Sequence, residues 1–170
     1  MRILPAIVLL AFPVAVLAAQ VPAPEIQIAG AVSAAPEGFR AGATVLGYRN
    51  YHRLGTLREG TNEMICIADD PAETPWHVAC YHKDLAPFMR RGRELANAGV
   101  SRGAVDSARM AEIQGGTLKM PDGPRMLYNL YAAGDSVDAA TGLAHGAAGL
   151  QVVYIPYATP ESTGLSAQPG

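Results

Sequence analysis

The chain has two cysteines, Cys66 and Cys80, both in "MICIADDPAETPWHVACYH", the stretch from Met64 to His82. Two runs rich in β-branched, aromatic and apolar residues, "EMICIAD" and "WHVACYH", flank the turn-forming "DPAETP". If they pair antiparallel with Cys66 opposite Cys80, every other partner is fixed. Ile67 then meets Ala79, Ile65 meets Tyr81, Met64 meets His82, Glu63 meets Lys83 and Asp69 meets His77. The register brings two opposite-charge pairs and an apolar pair together. A slip of one residue would part the cysteines and turn both faces over. The expected product is a disulfide-stapled β-hairpin, worth about 3 kcal/mol by the loop it closes. The alternatives are a zinc or copper site drawing on Cys66, Cys80 and His82, and a redox-active thiol pair. Neither has its usual spacing, since C-x-x-C and H-x-x-x-H are both absent.

The compartment reading agrees. "MRILPAIVLLAFPVAVLAAQ" places Arg2 before an apolar run that ends in small residues, the pattern of a secretory signal over residues 1–19. Gln20 stands where a lipoprotein would need cysteine, so a lipid anchor is not expected. No later segment is long and apolar enough to span a bilayer. The chain is expected to be exported, to the periplasm or the extracellular space, where a disulfide persists. It carries 13 basic residues against 15 acidic ones, and losing Arg2 shifts the balance further negative. A nucleic-acid partner is therefore not expected. The cluster of Arg90, Arg91 and Arg93 reads as a solvated helix face.

Residues 20–25 read as a short leader, 26–158 as a single domain and 159–170 as a flexible tail. "IQIAGAVSAAP" suits a short helix ended by Pro36; "ATVLGY" and "RLGTLREG" suit strands joined by a turn at "RNY". Asp84 is a candidate N-cap for a helix over "LAPFMRRGRELANA", with Gly99 as its left-handed stop. A second helix is expected over Val105–Ile113. "TLKMPDGPRMLYNLYA" reads as a hairpin about Pro121-Asp122-Gly123, "AAGDSVDAATGLAHGAAG" as a long mobile loop, and "LQVVYIPYAT" as a last strand. The class is α+β: a mainly antiparallel sheet with one or two packed helices.

Three sets of residues could carry chemistry. Asp69 beside His77 could orient the imidazole as a base, with Arg58 stabilising an anion, as in a hydrolase. Arg58, Thr61 and Asn62 in "LREGTN" could bind a ligand, or could build a tight turn through local main-chain bonds. His82, Met64 and Met89 could hold a soft metal ion, or the methionines could pack in the core. Ser162 and His145 stand isolated. Nucleophile-elbow, H-E-x-x-H, P-loop and dinucleotide signatures are all absent.

From Ile28 to Cys80 the chain resembles an uncharacterised family of exported bacterial proteins. The resemblance lies in "AVSAAPEGFRAGATVLG", in "LREGTNEMICIADDP" and in the second cysteine, with "LYNLYA" and "VVYIPYAT" as related apolar strands. The chain departs from the family at "CYH", where a Cys-Asp pair is usual, and in lacking histidines in its last strands. The resemblance implies a domain, export and a disulfide, and no reaction. The expected function is a non-enzymatic module that binds a small molecule or another protein, without a cofactor. The border of its pocket is expected at the loop Gly134–Gly149 and at Tyr128, Tyr131, Tyr154 and Tyr157. The hydrolase and the periplasmic metal-handling protein are the alternatives.

Overall fold

The computed structural model describes residues 21–50 and 53–166. The signal segment, Gln20 and Tyr51 of the expected turn lie outside the described residues. Alternating patterns become strands β1 (Thr44–Asn50), β2 (Arg53–Arg58), β3 (Met64–Ile67) and β4 (Trp76–His82). Helices α1 (Pro24–Val32) and α2 (Glu37–Arg40) precede them, and α3 (Ala86–Asn97) and α4 (Arg102–Gln114) follow. Strands β5 (Arg125–Ala132) and β6 (Ala148–Tyr154) and the short helix α5 (Pro160–Thr163) complete the order. The six strands form one sheet in the order β2-β1-β3-β4-β5-β6. Every pairing is antiparallel except β1 with β3. The chain is an α+β protein with a mainly antiparallel sheet.

The hairpin register is the one the cysteines dictate. Met64 pairs with His82, Ile65 with Tyr81, Cys66 with Cys80 and Ile67 with Ala79. The Cys66–Cys80 disulfide closes between Cα atoms 4.0 Å apart. Glu63 and Lys83 form an ion pair beyond the strand ends at 2.6 Å.

The two faces of the sheet are covered differently. Val45, Met64, Cys66, Ala68, Trp76, Val78 and Cys80 form one buried cluster with Ala31, Ala34 and Ala35 of the α1 segment. Cys80 Sγ lies 3.2 Å from the Ala31 carbonyl oxygen, so the staple sits directly beneath the helix. Gln27 fastens α1 to β1. Its Nε2 donates to the Tyr48 and Pro22 carbonyls, and its Oε1 accepts the Tyr48 N–H, each at 2.7 Å. By strand alternation Tyr81, Leu127 and Tyr154 face the other way. There Phe88 of α3 meets the Tyr154 ring edge-on, and Arg109 of α4 lies over Phe88. Arg91 joins α3 to α4 through a two-pronged contact with Glu112 and also reaches Glu94, so it is not simply solvated.

Several expectations are corrected. The first turn of α1 takes up Pro24 and Glu25 of the expected leader. β1 runs on through Arg49 and Asn50, which were expected in the turn. Asp84 does not cap the helix. The His82 ring accepts the Asp84 N–H at 3.2 Å, and the Asp84 carboxylate is held by Arg125 at 2.6 Å. Arg125 keeps that carboxyl below the usual range. Thr117 and Leu118 form no first arm of a hairpin: their N–H groups donate to the Glu112 carbonyl and finish the end of α4. β5 instead lies between β4 and β6.

The Gly/Ala-rich loop is a built structure. Asp138 N–H donates to Leu143 O, Gly142 N–H to Asp138 O and His145 N–H to Ser136 O. β6 ends at Tyr154, short of Thr159. In the expected tail, Thr159 and Ser162 form a reciprocal cap on α5. Gly99, at φ 81°, follows α3 in the left-handed conformation expected of it.

Candidate functional site

"LREGTN" is a crossing. β2 ends beside the start of β1, and β3 begins on the opposite side of that same strand. Residues 59–63 must therefore pass close under the first residues of β1. Thr61 and Asn62 donate their N–H groups to the Gly42 carbonyl at 2.8 and 3.0 Å, and Gly60 N–H donates to Thr44 Oγ1 at 3.1 Å. A Cβ on Gly60 would stand 2.2 Å from Thr44 N and 2.6 Å from Ala43 C, so only glycine fits. Arg58 directs its guanidinium at the carbonyls of Ala43 and Arg40. The Asn62 side chain donates to Phe39 O and accepts the Met64 N–H. The turn reading fits these three residues, with Arg58 paired to main-chain carbonyls.

Asp69 and His77 do adjoin, but not as an oriented base. Asp69 Oδ1 accepts the backbone N–H of His77 at 2.8 Å. The imidazole turns to the other face, where Nε2 lies 3.0 Å from Asn129 Oδ1. The ring stacks on Tyr131 with centroids 4.4 Å apart. Because Asn129 Nδ2 donates to the Leu150 carbonyl, its oxygen faces the ring, and His77 Nε2 carries the proton. Arg58 is on β2, three strand spacings or roughly 14 Å from β4. The expected trio does not converge. Burial pushes the Asp69 carboxyl up to about 6, with Asp70 acting in the same direction and the His77 N–H opposing it. The Tyr48 hydroxyl is also raised, by burial first and then by Asp70.

Of the expected metal set, Met64 and His82 adjoin as cross-strand partners. Met64 is buried in the core under α1, and Met89 lies on α3. His82 Nδ1 faces the Asp84 backbone N–H at 3.2 Å and lies 3.5 Å from the Asp84 carboxylate, so its ring is engaged by Asp84. Among the described residues, no group of three or more His, Cys, Asp or Glu side chains is arranged to hold a metal ion. Ser162 Oγ is engaged in capping α5.

What the fold does build is a cavity of about 420 Å³ on the α1 side of the sheet. Pro22, Ile26, Gln27 and Gly30 form one wall; Asp69, Glu73, Thr74, Trp76 and Val78 form the second. Gly134, Val137, Asp138, Ala139 and Gly142 of the long loop form the third. Gly142, at φ 73°, brings the loop so close to α1 that a Cβ there would stand 2.3 Å from Ile26 O. The loop was expected at the border of a pocket and is there. The four tyrosines expected beside it are not part of the lining.

Trp76, 7% exposed, forms part of the wall and is the single tryptophan of the chain. Neither it nor Asp138 stood out in the sequence. The available signal was a lone tryptophan close to Asp69 and Glu73. A more open groove of about 600 Å³ runs between α3 and α4, but Arg91 and Glu112 along it already neutralise each other.

No protein-family model, curated protein or solved structure matches the chain. Among the described residues, no helix is long and apolar enough to cross a membrane.

Proposed function

We propose that this protein is an exported, non-enzymatic module that binds a small molecule in the cavity between α1, the β4 end of the hairpin and the loop after β5. The cavity itself carries the reading. Its volume of about 420 Å³ lies within the range of small-molecule sites, and apolar walls with a few polar groups are their usual lining. Export is supported by the signal-like residues 1–19 and by the disulfide, which suits an oxidising compartment. The resemblance to an exported bacterial family points the same way. The His77 base of the hydrolase alternative is not in this cavity, because Val78 faces it and the neighbouring His77 side chain faces the opposite side of the sheet.

The test is a titration of the oxidised protein with a library of small cations, anions and neutral compounds, followed by fluorescence. Trp76 is the sole indole, so its emission reports on this cavity. A subset of compounds should shift the emission saturably and raise the melting temperature. Ala139→Phe, which fills the cavity from its exposed loop side, should abolish the shift while leaving the far-UV spectrum unchanged. A library that never changes the emission saturably would remove the reading.

A further inference from the structure

Resting on that reading of the cavity, we propose that its ligand is a small organic cation, an ammonium or guanidinium group on an apolar body. Three carboxylates, those of Asp69, Glu73 and Asp138, belong to the lining, and among the described residues no lysine or arginine does. Among the described residues, none of the three forms an ion pair with a basic side chain. Elsewhere several acids are paired: Glu63 with Lys83, Asp84 with Arg125, Glu112 with Arg91 and Asp106 with Arg109.

The carboxylates differ in how they are held. Asp138 Oδ1 accepts the Ala140 N–H at 2.8 Å, and this bond with those of Thr141 keeps its carboxyl below the usual range, with His145 acting in the same direction. It is charged whenever the protein is near neutral pH. Glu73 is exposed at the rim. Asp69 is half-buried and takes one N–H, from His77, so its charge is only partly compensated by the protein. A ligand cation supplies the missing countercharge, whereas an anion would meet three like charges. The apolar part of the lining fits the other end of such a ligand. Ile26 and Val78 offer aliphatic surface, and the Trp76 indole can hold either a hydrocarbon body or the cation against its π-face.

The probes are phenethylammonium, phenethyl alcohol and hydrocinnamate, which share a ring and chain length and differ in charge, with phenethylguanidinium as a second cation. Binding is followed by Trp76 emission and by calorimetry on the oxidised protein. At least one cation is expected to bind about tenfold more tightly than the alcohol, and to weaken as salt is raised. Hydrocinnamate is expected to show no saturable binding. Glu73→Gln, an exposed substitution, and Asp138→Asn, which keeps an oxygen for the loop amides, should each weaken the cation about threefold and narrow its margin over the alcohol. Equal affinity for cation and alcohol, or tighter binding of the carboxylate, would overturn the cation assignment while the cavity remained a ligand site. The same holds if neither cation binds but a neutral or anionic member of the wider library does. Silence from the probes and from the library together removes both readings.

Discussion

Asp69 occupies a place where burial opposes its charge. Its carboxyl titrates near 6 in the fold against 3.8 ordinarily, with burial as the first cause. Between about pH 4 and 6 the folded state holds a proton that the unfolded chain has released. The contribution of Asp69 to stability is therefore greatest below that window, falls as pH rises through it and stays lower above it. Asp69→Asn keeps an oxygen for the His77 N–H and removes the charge. At pH 8 the variant should be more stable than wild type by about 1 kcal/mol, below the roughly 3 kcal/mol of a full two-unit shift, because the half-exposed carboxylate is screened by water. Below pH 4 the difference should vanish. Urea melts at the two pH values decide it, and a wild-type protein that gains from ionising Asp69 would contradict the assignment. The cavity adds a corollary: a bound cation should shrink the advantage of the variant at pH 8. None of this was legible locally. The sequence placed Asp69 near His77, but could not say that it would meet the backbone amide and leave the ring to Asn129.

At the scale of elements, the hairpin was the most legible part, because a strand period of two and one covalent constraint leave little freedom. Removing the staple in the Cys66→Ala/Cys80→Ala double variant is expected to cost about 3 kcal/mol by loop entropy. Denaturant midpoints of the double variant and the oxidised protein measure it. Both cysteines are fully buried beneath α1, so alanines also leave a small void, and a loss well under 1 kcal/mol would show the staple to be incidental to stability. Helix ends were read less well. Asp84 has the chemistry of a cap, but Arg125, 41 residues further on, claims its carboxylate, and the His82 ring takes its N–H instead. "TLKMPDG" looks like strand and turn, yet Thr117 and Leu118 complete α4 because the Glu112 carbonyl needs donors. Competition for a hydrogen-bond partner is settled by distance in space, which local patterns do not contain.

For the whole molecule, the sheet order places β3, β4 and β5 at the centre or next to it, and β2 and β6 at the edges. The disulfide joins two of the central strands, so the amides of Val78, Cys80 and their neighbours should exchange slowest with solvent. The loop after β5 makes most of its hydrogen bonds to itself and should exchange by local opening, orders of magnitude faster. Hydrogen-exchange mass spectrometry at neutral pH tests this, and a saturating cavity ligand should slow the loop selectively. Uniform protection across loop and central strands would mean that the loop opens only with the global fold.

The sequence by itself determined the hairpin and its register, the disulfide, the α+β class, the existence of the three longer helices and the left-handed Gly99 after α3. Each follows from period, covalent geometry or backbone sterics acting over a few residues. The tertiary structure alone decided that β3 would lie parallel to β1, which turned "LREGTN" from a possible ligand motif into a crossing. It also decided that residues as far apart as Ile26, Trp76 and Asp138 would enclose one cavity. A pocket of this kind belongs to no segment. Its walls come from three stretches of chain, and only the packing of α1 and the loop against the same sheet face brings their side chains within reach of one ligand.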